Sequence, residues 1–492
     1  MNSSFITSIP STSPSSSNDR KRTVETAALI VVLVIALALF FDFTNGFHDT
    51  ANAMATPIAT GALKPKTAVL LAAGLNLVGA FLSTEVSQTV SHGIIRDDGV
   101  SDAFLPMIFA GLIGAITWNM LTWLLGLPSS SSHALFGGLI GATLVGVGVG
   151  GIDFGAVLSK IILPALIAPV TAGVIAFAAT KIAYSITRRY DNKPDGRDGF
   201  RWGQIFTSSM VALAHGTNDA QKTMGVITLA LITVGWQSQD QADPHLWVIV
   251  ACAVTIALGT YLGGWRIIRT LGKGLTDVKP AQGFAAESST AATILASSYF
   301  GFALSTTQVA SGSVIGSGLG RRGSSVRWGT AGRIAIGWLL TLPAAGAVGA
   351  LAALLIQWLG GWGIAVDAVL AVAIIVSLFL RSRKDAVTHA NAMSDVAESG
   401  LAVELPDTPP PTRRQQRIEQ AKAEAKARAA AREKAKSDAK KARAEADKAA
   451  KAKAEAEKNA KAEKKAKAKA GTGKKPKSAA DAEKNAGKGE SL

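Results

Sequence analysis

The chain has 492 residues, 48% of them hydrophobic, and a formal net charge of +16, with a mean hydropathy of +0.27. Its single cysteine, Cys252, excludes an intrachain disulfide framework. The charge is uneven, because residues 413–492 carry 26 Lys/Arg against 12 Asp/Glu and therefore +14 of the total.

Apolar segments recur from about residue 26 to residue 380, and several are long enough to cross the roughly 30 Å of bilayer hydrocarbon. The 49 glycines suit such a protein, since small residues let helices pack closely in lipid. We therefore predict an all-α polytopic membrane protein with about 10–12 membrane segments, some of them broken or re-entrant.

The predicted apolar segments are residues 24–63, 67–90, 104–126, 130–150, 156–185, 203–233, 247–268, 281–301, 304–320, 331–356 and 363–380. Segments 24–63 and 203–233 are too long for one simple spanning helix and contain Gly or Pro, which predicts broken helices there. We divide the chain into a disordered lead (1–23), a first transmembrane repeat (24–185), a cytoplasmic loop (186–202), a second transmembrane repeat (203–356), an extra transmembrane segment (357–380), a linker (381–412) and a basic, low-complexity cytoplasmic tail (413–492).

One motif occurs twice, about 170 residues apart. The stretches from Gly46 to Met54 and from Gly216 to Met224 share Gly, Asp and Met at the same spacing. Each sets an aspartate, Asp49 or Asp219, within apolar sequence, where an ionised carboxylate costs from about 3 to well over 10 kcal/mol. Matched carboxylates in two halves of the chain predict a functional site.

A second landmark follows each aspartate. Aligning Gly137 with Gly312 pairs two hydroxyl clusters, Ser130, Ser131 and Ser132 with Ser305, Thr306 and Thr307. Ser and Thr cap helix N-termini, whose free N–H groups and partial positive charge bind tetrahedral oxyanions. Two such N-termini facing each other would hold an oxyanion, and the nearby carboxylates would repel it unless a cation or proton is present. The pattern therefore favours symport.

Basic loops indicate the membrane sidedness. The residues that mark cytoplasmic loops are Arg188, Arg189, Arg266, Arg269, Lys273, Arg321, Arg322 and Arg327. With five crossings in each half, the halves would enter the membrane from opposite sides, which is the inverted topology of many secondary transporters. The basic cluster at residues 20–22 opposes an outside N-terminus, so the side of the N-terminus stays open.

Several ordered motifs resemble those of the inorganic phosphate transporter (PiT) family, especially its bacterial low-affinity members. They are the stretches 47–53, 128–133, 215–222, 282–287 and 305–308. The resemblance covers about residues 24–380 and leaves out the lead and the basic tail.

The resemblance implies a transporter, not an enzyme, that imports inorganic phosphate across the plasma (inner) membrane and needs no cofactor or resident metal. It implies that substrate lies between the two halves. The side chains it implies at the site are Asp49, Asn52, Asp219, Ser130, Ser131, Ser132, Ser305, Thr306 and Thr307. Bacterial relatives also take phosphate as a neutral divalent metal complex, so a metal–phosphate cargo is a further implication.

The chain departs from this family in one respect. Sodium-coupled relatives carry N-D-x-x-N in both halves, whereas here the copies read His48-Asp49-x-x-Asn52 and Asn218-Asp219-x-x-Lys222. An Asn carbonyl can bind sodium, but Lys can only donate. We therefore expect Lys222 to line the substrate site as a fixed cation, and protons to replace sodium.

The candidate groups for the coupling ion are Asp49, Asp219, His48 and Asn218; His48 is included because imidazole titrates near neutral pH. For Asp42, Glu85 and Glu287, which also lie in apolar segments, we expect a membrane interface or a structural hydrogen bond.

Other functions stay open at this point. They are a sodium-coupled phosphate symporter, a carrier of another tetrahedral oxyanion such as sulfate, an intramembrane hydrolase using Ser132 and His133, and a membrane anchor for the basic tail. Two observations argue against a hydrolase: the sequence contains no nucleophile elbow, and the repeat pairs His133 with Gln308. The tail could lie against anionic lipid of the bilayer, and the oligomeric state stays open, a homo-oligomer included.

Overall fold

The structure is a computed structural model that describes residues 17–92, 104–190, 197–241, 243–384, 387–388, 441 and 443–462. Its helices in chain order are α1 (Ser17–Ala59), α2 (Pro65–Gly79), α3 (Glu85–His92), α4 (Phe104–Leu125), α5 (Ser131–Gly146), α6 (Phe154–Ala156), α7 (Leu163–Tyr190), α8 (Arg197–Thr233), α9 (Leu246–Leu262), α10 (Trp265–Arg269), α11 (Pro280–Tyr299), α12 (Thr306–Gly320), α13 (Trp328–Leu359) and α14 (Gly361–Ser382). Short 3₁₀ or π segments lie at Val149–Gly151, Val157–Ile162 and Thr270–Gly274. The described part of the chain contains no β-strand, only an isolated bridge between Thr276 and Val326.

Five helical stretches of the described residues are long and apolar enough to cross a membrane: Ala27–Ala59, Phe104–Leu125, Phe154–Ile186, Trp328–Leu359 and Gly361–Ser382. A sixth is the pair Leu246–Leu262 and Trp265–Gly274, which is bent by 60°. The prediction of an all-α polytopic membrane protein is confirmed. The count of about 10–12 membrane segments stays a prediction.

The predicted breaks in segments 24–63 and 203–233 are wrong, because α1 and α8 run unbroken over 43 and 37 residues. Their glycines serve helix packing. A Cβ on Gly46 would lie 2.3 Å from the carbonyl oxygen of Ile256 in α9, and one on Gly216 would lie 2.2 Å from that of Asn76 in α2. Glycine is needed there because another backbone passes too close for any side chain.

The ends of the chain are described only in part. Helix α1 begins at Ser17, so residues 17–23 of the predicted lead are helical, while residues 1–16 lie outside the described residues. In the predicted tail, residues 443–462 form a helix that is exposed on every side. Most of the linker, and the tail outside residues 441 and 443–462, also lie outside the described residues. Helices α1–α14 belong to one compact unit and the tail helix to another.

Helices of the two predicted repeats, residues 24–185 and 203–356, pack on each other; below we call these repeats the first and second half. Helix α5 of the first half packs on α13 of the second, and α12 of the second half packs on α7 of the first. A Cβ on Gly141 would lie 2.0 Å from the carbonyl oxygen of Gly346, and one on Gly316 would lie 1.9 Å from that of Gly173. Gly141 and Gly316 occupy matching positions in the two halves, so the same backbone contact occurs twice.

Helices α5 and α12 are short and begin inside the protein. They have 16 and 15 residues, which corresponds to about 24 and 22 Å, less than the roughly 30 Å of hydrocarbon. Ser130 caps α5 by accepting from the His133 N–H at 3.1 Å, and Ser305 caps α12 by accepting from the Gln308 N–H at 3.3 Å. The prediction that the two hydroxyl clusters start helices is confirmed.

We expect Gly316→Ala to destabilise the protein, because its Cβ meets a backbone oxygen that cannot move without separating α12 from α7. Overpacking of this kind typically costs about 1–3 kcal/mol, so the melting temperature of the purified protein in detergent should fall. Gly332→Ala in α13 is the matched control, since nothing lies within 4 Å of its added Cβ. Equal melting temperatures for the two variants would contradict the packing described.

Candidate functional site

The centre of the site consists of two buried aspartates, Asp49 on α1 and Asp219 on α8, with relative exposures of 2% and 1%. His215, one turn before Asp219 on α8, lies between them. Its Nε2 atom is 2.8 Å from Asp219 Oδ2 and 3.9 Å from Asp49 Oδ2, within ion-pair distance of both but without hydrogen-bond geometry to either. The imidazole of His215 therefore lies between the two carboxylates, close enough to form an ion pair with each when it is protonated.

The first short helix, α5, supplies a hydroxyl to this centre. The Ser131 hydroxyl donates to Asp49 Oδ2 at 3.1 Å. Ser130 is occupied as the N-cap of α5, and Ser132 donates to the Leu304 carbonyl at 3.0 Å. Of the three predicted serines of this cluster, only Ser131 contacts a carboxylate.

The second short helix, α12, supplies two hydroxyls. Thr307 donates to Asp49 Oδ1 at 3.1 Å and Thr306 donates to Asp219 Oδ2 at 2.9 Å. The Asn52 amide N–H₂ lies 3.3 Å from the Thr306 hydroxyl oxygen and 3.0 Å from that of Thr307, and donates to them. Negative charge is stabilised at a helix N-terminus, and here the start of α12 contacts both carboxylates while the start of α5 contacts Asp49.

Lys222, which the sequence predicted at the site, lies beside Asp219. Its Nζ atom contacts Asp219 Oδ1 and donates to the Leu304 carbonyl at 2.9 Å. The side chain is only 1% exposed, so its charge acts where water does not screen it. Asp219 is therefore bound by an ammonium group, whereas Asp49 is bound by hydroxyls and by its neighbour His48.

The two remaining predicted coupling residues differ in position. His48 Nδ1 lies 2.6 Å from Asp49 Oδ1, and its Nε2 lies 3.3 Å from both the Thr122 and the Ser129 hydroxyls. Asn218 faces away from the carboxylates and donates to the Ser298 hydroxyl and the Phe302 carbonyl. The structure thus brings His48 to the site and does not bring Asn218 there.

His215 was not among the predicted site residues. Its sequence signal is the spacing, since a side chain four residues before Asp219 shares its helix face. Its Nδ1 atom lies 3.2 Å from the Asn76 side-chain oxygen on α2. In the first copy of the motif the position that matches His215 is Asn45, so the repeat does not mark His215 as a matched residue.

Carboxylate and imidazole atoms of Asp49, His215 and Asp219 lie within 4.8 Å of one another, a spacing that could hold a metal ion. The Lys222 ammonium already contacts Asp219 and would repel a cation placed there. We therefore assign no resident metal to this group.

Ser132 and His133 are not arranged for nucleophilic catalysis. The Ser132 hydroxyl donates to a backbone carbonyl, while His133 Nδ1 lies 3.5 Å from the Gln308 amide nitrogen. A serine nucleophile needs a hydrogen bond to its base, and none joins these two residues in the structure. The geometry argues against the hydrolase alternative.

Two further buried carboxylates lie beside α1, one on either side of the centre. Glu287 accepts from Thr56 at 2.5 Å, from the Gln204 amide at 3.1 Å and from Thr207 at 2.8 Å, which joins α11 to α1 and α8. Asp42 accepts from Thr223 of α8 at 3.0 Å. Glu287 thus has the structural hydrogen bonds that we expected, and Glu85 is exposed on α3.

Comparison with known proteins gives one consistent picture. Residues 45–349 match the phosphate transporter family. A "probable low-affinity inorganic phosphate transporter" of Mycobacterium leprae is 57% identical over 364 residues, covering 74% of this chain and 87% of the relative. A Bacillus subtilis protein of the same description is 41% identical over 327 residues, covering 66% and 96%.

A solved structure titled "The sodium-dependent phosphate transporter" has a similar fold. The TM-score is 0.59 at 24% identity, over 67% of this chain and 99% of the other. Residues 45–349, which match the family, contain both aspartates, both hydroxyl clusters and Lys222. The chain belongs to the phosphate transporter family, a class of transporters and not of enzymes.

Proposed function

We propose that this membrane protein imports inorganic phosphate together with protons. The observation that carries the proposal is a shared set of donors. Ser131, Thr306 and Thr307 stand at the starts of two helices, where an oxyanion binds best, and all three donate to Asp49 or Asp219. Phosphate and the two carboxylates therefore compete for the same hydroxyls.

This competition supplies a reason for coupling. A phosphate oxygen that takes the hydroxyls of Thr306 and Thr307 removes hydrogen bonds from two buried carboxylates. An ionised carboxylate in an apolar interior is costly unless it is paired. A proton on Asp49 would remove that charge and turn an acceptor into a donor for phosphate. Proton binding and phosphate binding then stabilise each other.

Lys222 supports protons over sodium as the coupling ion. Its ammonium group contacts Asp219 and the Leu304 carbonyl, and a lysine offers no oxygen to a sodium ion. Asp219 therefore has a permanent positive charge beside it. Asp49 has none of this kind and needs a mobile positive charge, which a proton can supply. His48, 2.6 Å from Asp49, is the candidate relay for that proton.

The carboxylates also favour phosphate over sulfate. The hydrogen phosphate ion carries an O–H group that can donate to an unprotonated oxygen of Asp49 or Asp219, whereas sulfate at neutral pH has only acceptors. A site built to bond a particular donor rejects an analogue that lacks it, because its own buried acceptor is left unpaired. Phosphate as a neutral metal complex is the alternative cargo, and uptake that requires Mg²⁺ at constant pH would favour it.

We further infer that residues 24–185 and 203–356 are inverted repeats, with α14 as an addition. Three contacts support this inference: Asp42 with Thr223 and Asp49 with His215 join α1 to α8, and Thr60, just past the end of α1, contacts Gln204 of α8. The residue number rises along α1 as it falls along α8, so these matched helices run antiparallel. Such an arrangement is expected of two halves inserted in opposite directions.

We place the protein in the plasma membrane with the tail of residues 413–492 in the cytoplasm. The tail's charge of +14 supports contact with anionic lipid, which attracts basic residues by about 1 kcal/mol each near the surface. Its described helix, residues 443–462, has every side chain exposed and no apolar face to bury.

Asp49→Asn and Asp219→Asn should each abolish phosphate uptake into proteoliposomes while leaving membrane insertion intact, because each removes one proton-binding or ion-pairing carboxylate. Glu85→Gln, at an exposed carboxylate of α3, should transport like the unaltered protein. Normal uptake by either aspartate variant would remove that carboxylate from the mechanism.

Uptake should rise with an inward proton gradient and should not change when sodium is replaced by potassium or choline. Lys222→Asn recreates N-D-x-x-N in the second half, so we expect slower uptake and a new requirement for sodium. Lys222→Arg keeps the positive charge and should show no such requirement. A sodium requirement of the unaltered protein at fixed pH would show that the role given to Lys222 is wrong.

Deletion of residues 413–492 should leave the uptake rate of the purified protein in neutral-lipid vesicles largely as it was, since the predicted site lies in helices α1–α12. Comparing binding of the tail to vesicles with and without anionic lipid should show whether the tail binds lipid. Loss of uptake by a well-folded truncated protein would place the tail in the transport path.

A further inference from the structure

Polar side chains follow one face of α1 on both sides of the central carboxylates. They are Asp42, Asn45, Asp49, Asn52 and Thr56, spaced alternately three and four residues apart. All five are buried, with exposures from 0% to 6%. Spacings of three and four place residues on a common helix face, so the site continues along α1 as a buried polar seam.

Of the two carboxylates in this seam, Asp42 has fewer hydrogen-bond partners than Asp49. It is 0% exposed, and Thr223 donates to its Oδ1 at 3.0 Å. Among the described residues, its Oδ2 has no hydrogen-bond partner, and neither has the side-chain oxygen of Asn45, one turn further along α1. The side-chain oxygen of Asn52, on the same face, is also without a donor. Buried acceptors without a donor are costly, and a proton on Asp42 Oδ2 would supply a donor to this face.

No cation of the described residues contacts Asp42. The titratable groups that act on it over a longer distance are His215, Asp219 and Lys222 on α8 and Cys252 on α9. Lys222 is already bound to Asp219. An ionised Asp42 would therefore lie buried with one hydroxyl as its only partner, which is far from the usual pairing of buried charges.

A purely structural role does not need a carboxylate at this position. The Asp49–Asp219 register of the repeat matches Asp42 with Ala212, which is also fully buried. Helix packing at the matching place in α8 thus proceeds without any polar group. The amide oxygen of an asparagine would accept from Thr223 as well as Asp42 does.

We propose that Asp42 is a second proton-binding site of the transport cycle, taking a proton on Oδ2 and passing it to the Asp49–Asp219 centre. The inference rests on the proton coupling proposed above. Asp42 stands seven residues before Asp49, about 10 Å along the helix axis, so it is separate from the phosphate donors. Glu287 of α11, which contacts Thr56 seven residues beyond Asp49, differs because three donors already satisfy it.

The test compares two transport modes in proteoliposomes: phosphate accumulation driven by an inward pH gradient, and exchange of phosphate at equal pH on both sides. Proton entry is followed at the same time with a trapped pH-sensitive dye. Asp42→Asn keeps an acceptor for Thr223 and removes the proton site. Asp367→Asn on α14 is the matched control, because Asp367 is 3% exposed and also has an unpartnered oxygen.

We expect Asp42→Asn to reduce gradient-driven accumulation far more than exchange, and to lower the number of protons entering with each phosphate. One coupled proton contributes a factor of about ten in accumulation per unit of pH gradient, and that factor should be lost. Asp367→Asn should accumulate phosphate like the unaltered protein. An unchanged proton-to-phosphate ratio in Asp42→Asn, or an equal loss of exchange and accumulation, would overturn the inference.

The two proposals fail in different ways. If the unaltered protein ignores the pH gradient, proton coupling itself is wrong. If Asp42→Asn does not insert into the membrane, Asn45→Ala decides, because it keeps the carboxylate and removes the side-chain oxygen on the same helix face that we propose accepts its proton. Half-maximal activation of uptake should then move to lower pH, and an unchanged pH profile would overturn the role of Asp42.

Discussion

Two negative charges inside the membrane region are the constraint on which the rest of the structure depends. Asp49 and Asp219 lie together, and no solvent reaches them to stabilise their charge. Their partners come from four helices: Ser131 from α5, Thr306 and Thr307 from α12, His48 from α1 and His215 and Lys222 from α8. These partners surround the two buried carboxylates with hydrogen-bond donors and an ammonium group.

Packing between helices of the two predicted repeats keeps these donors in place. The backbone of α5 meets α13 at Gly141, and the backbone of α12 meets α7 at Gly316. Contacts between backbones have little freedom to yield, so α5 and α12 are each held against a helix of the other predicted repeat. In the transport proposed above, a change in the relation of the predicted repeats would change which hydroxyls reach which carboxylate.

Local features of this structure could be predicted from sequence, and tertiary ones could not. Ser130 and Ser305 identified the starts of α5 and α12, because capping depends on residues a few positions apart. The unbroken course of α1 and α8 was missed, since Gly46 and Gly216 are explained by α9 and α2, which lie far away in sequence. His215 was missed because its role depends on Asp49 of the other half, and the repeat gives it no matching histidine.

The central claim is that phosphate and the carboxylates compete for the same hydroxyls, so that phosphate binding takes up protons. The most direct measurement is proton uptake by the purified protein in weakly buffered detergent solution when phosphate is added at a pH where it is fully the dianion. We predict uptake of protons with each bound phosphate, and less of it in Asp49→Asn. Phosphate binding with no change in bound protons would contradict the account.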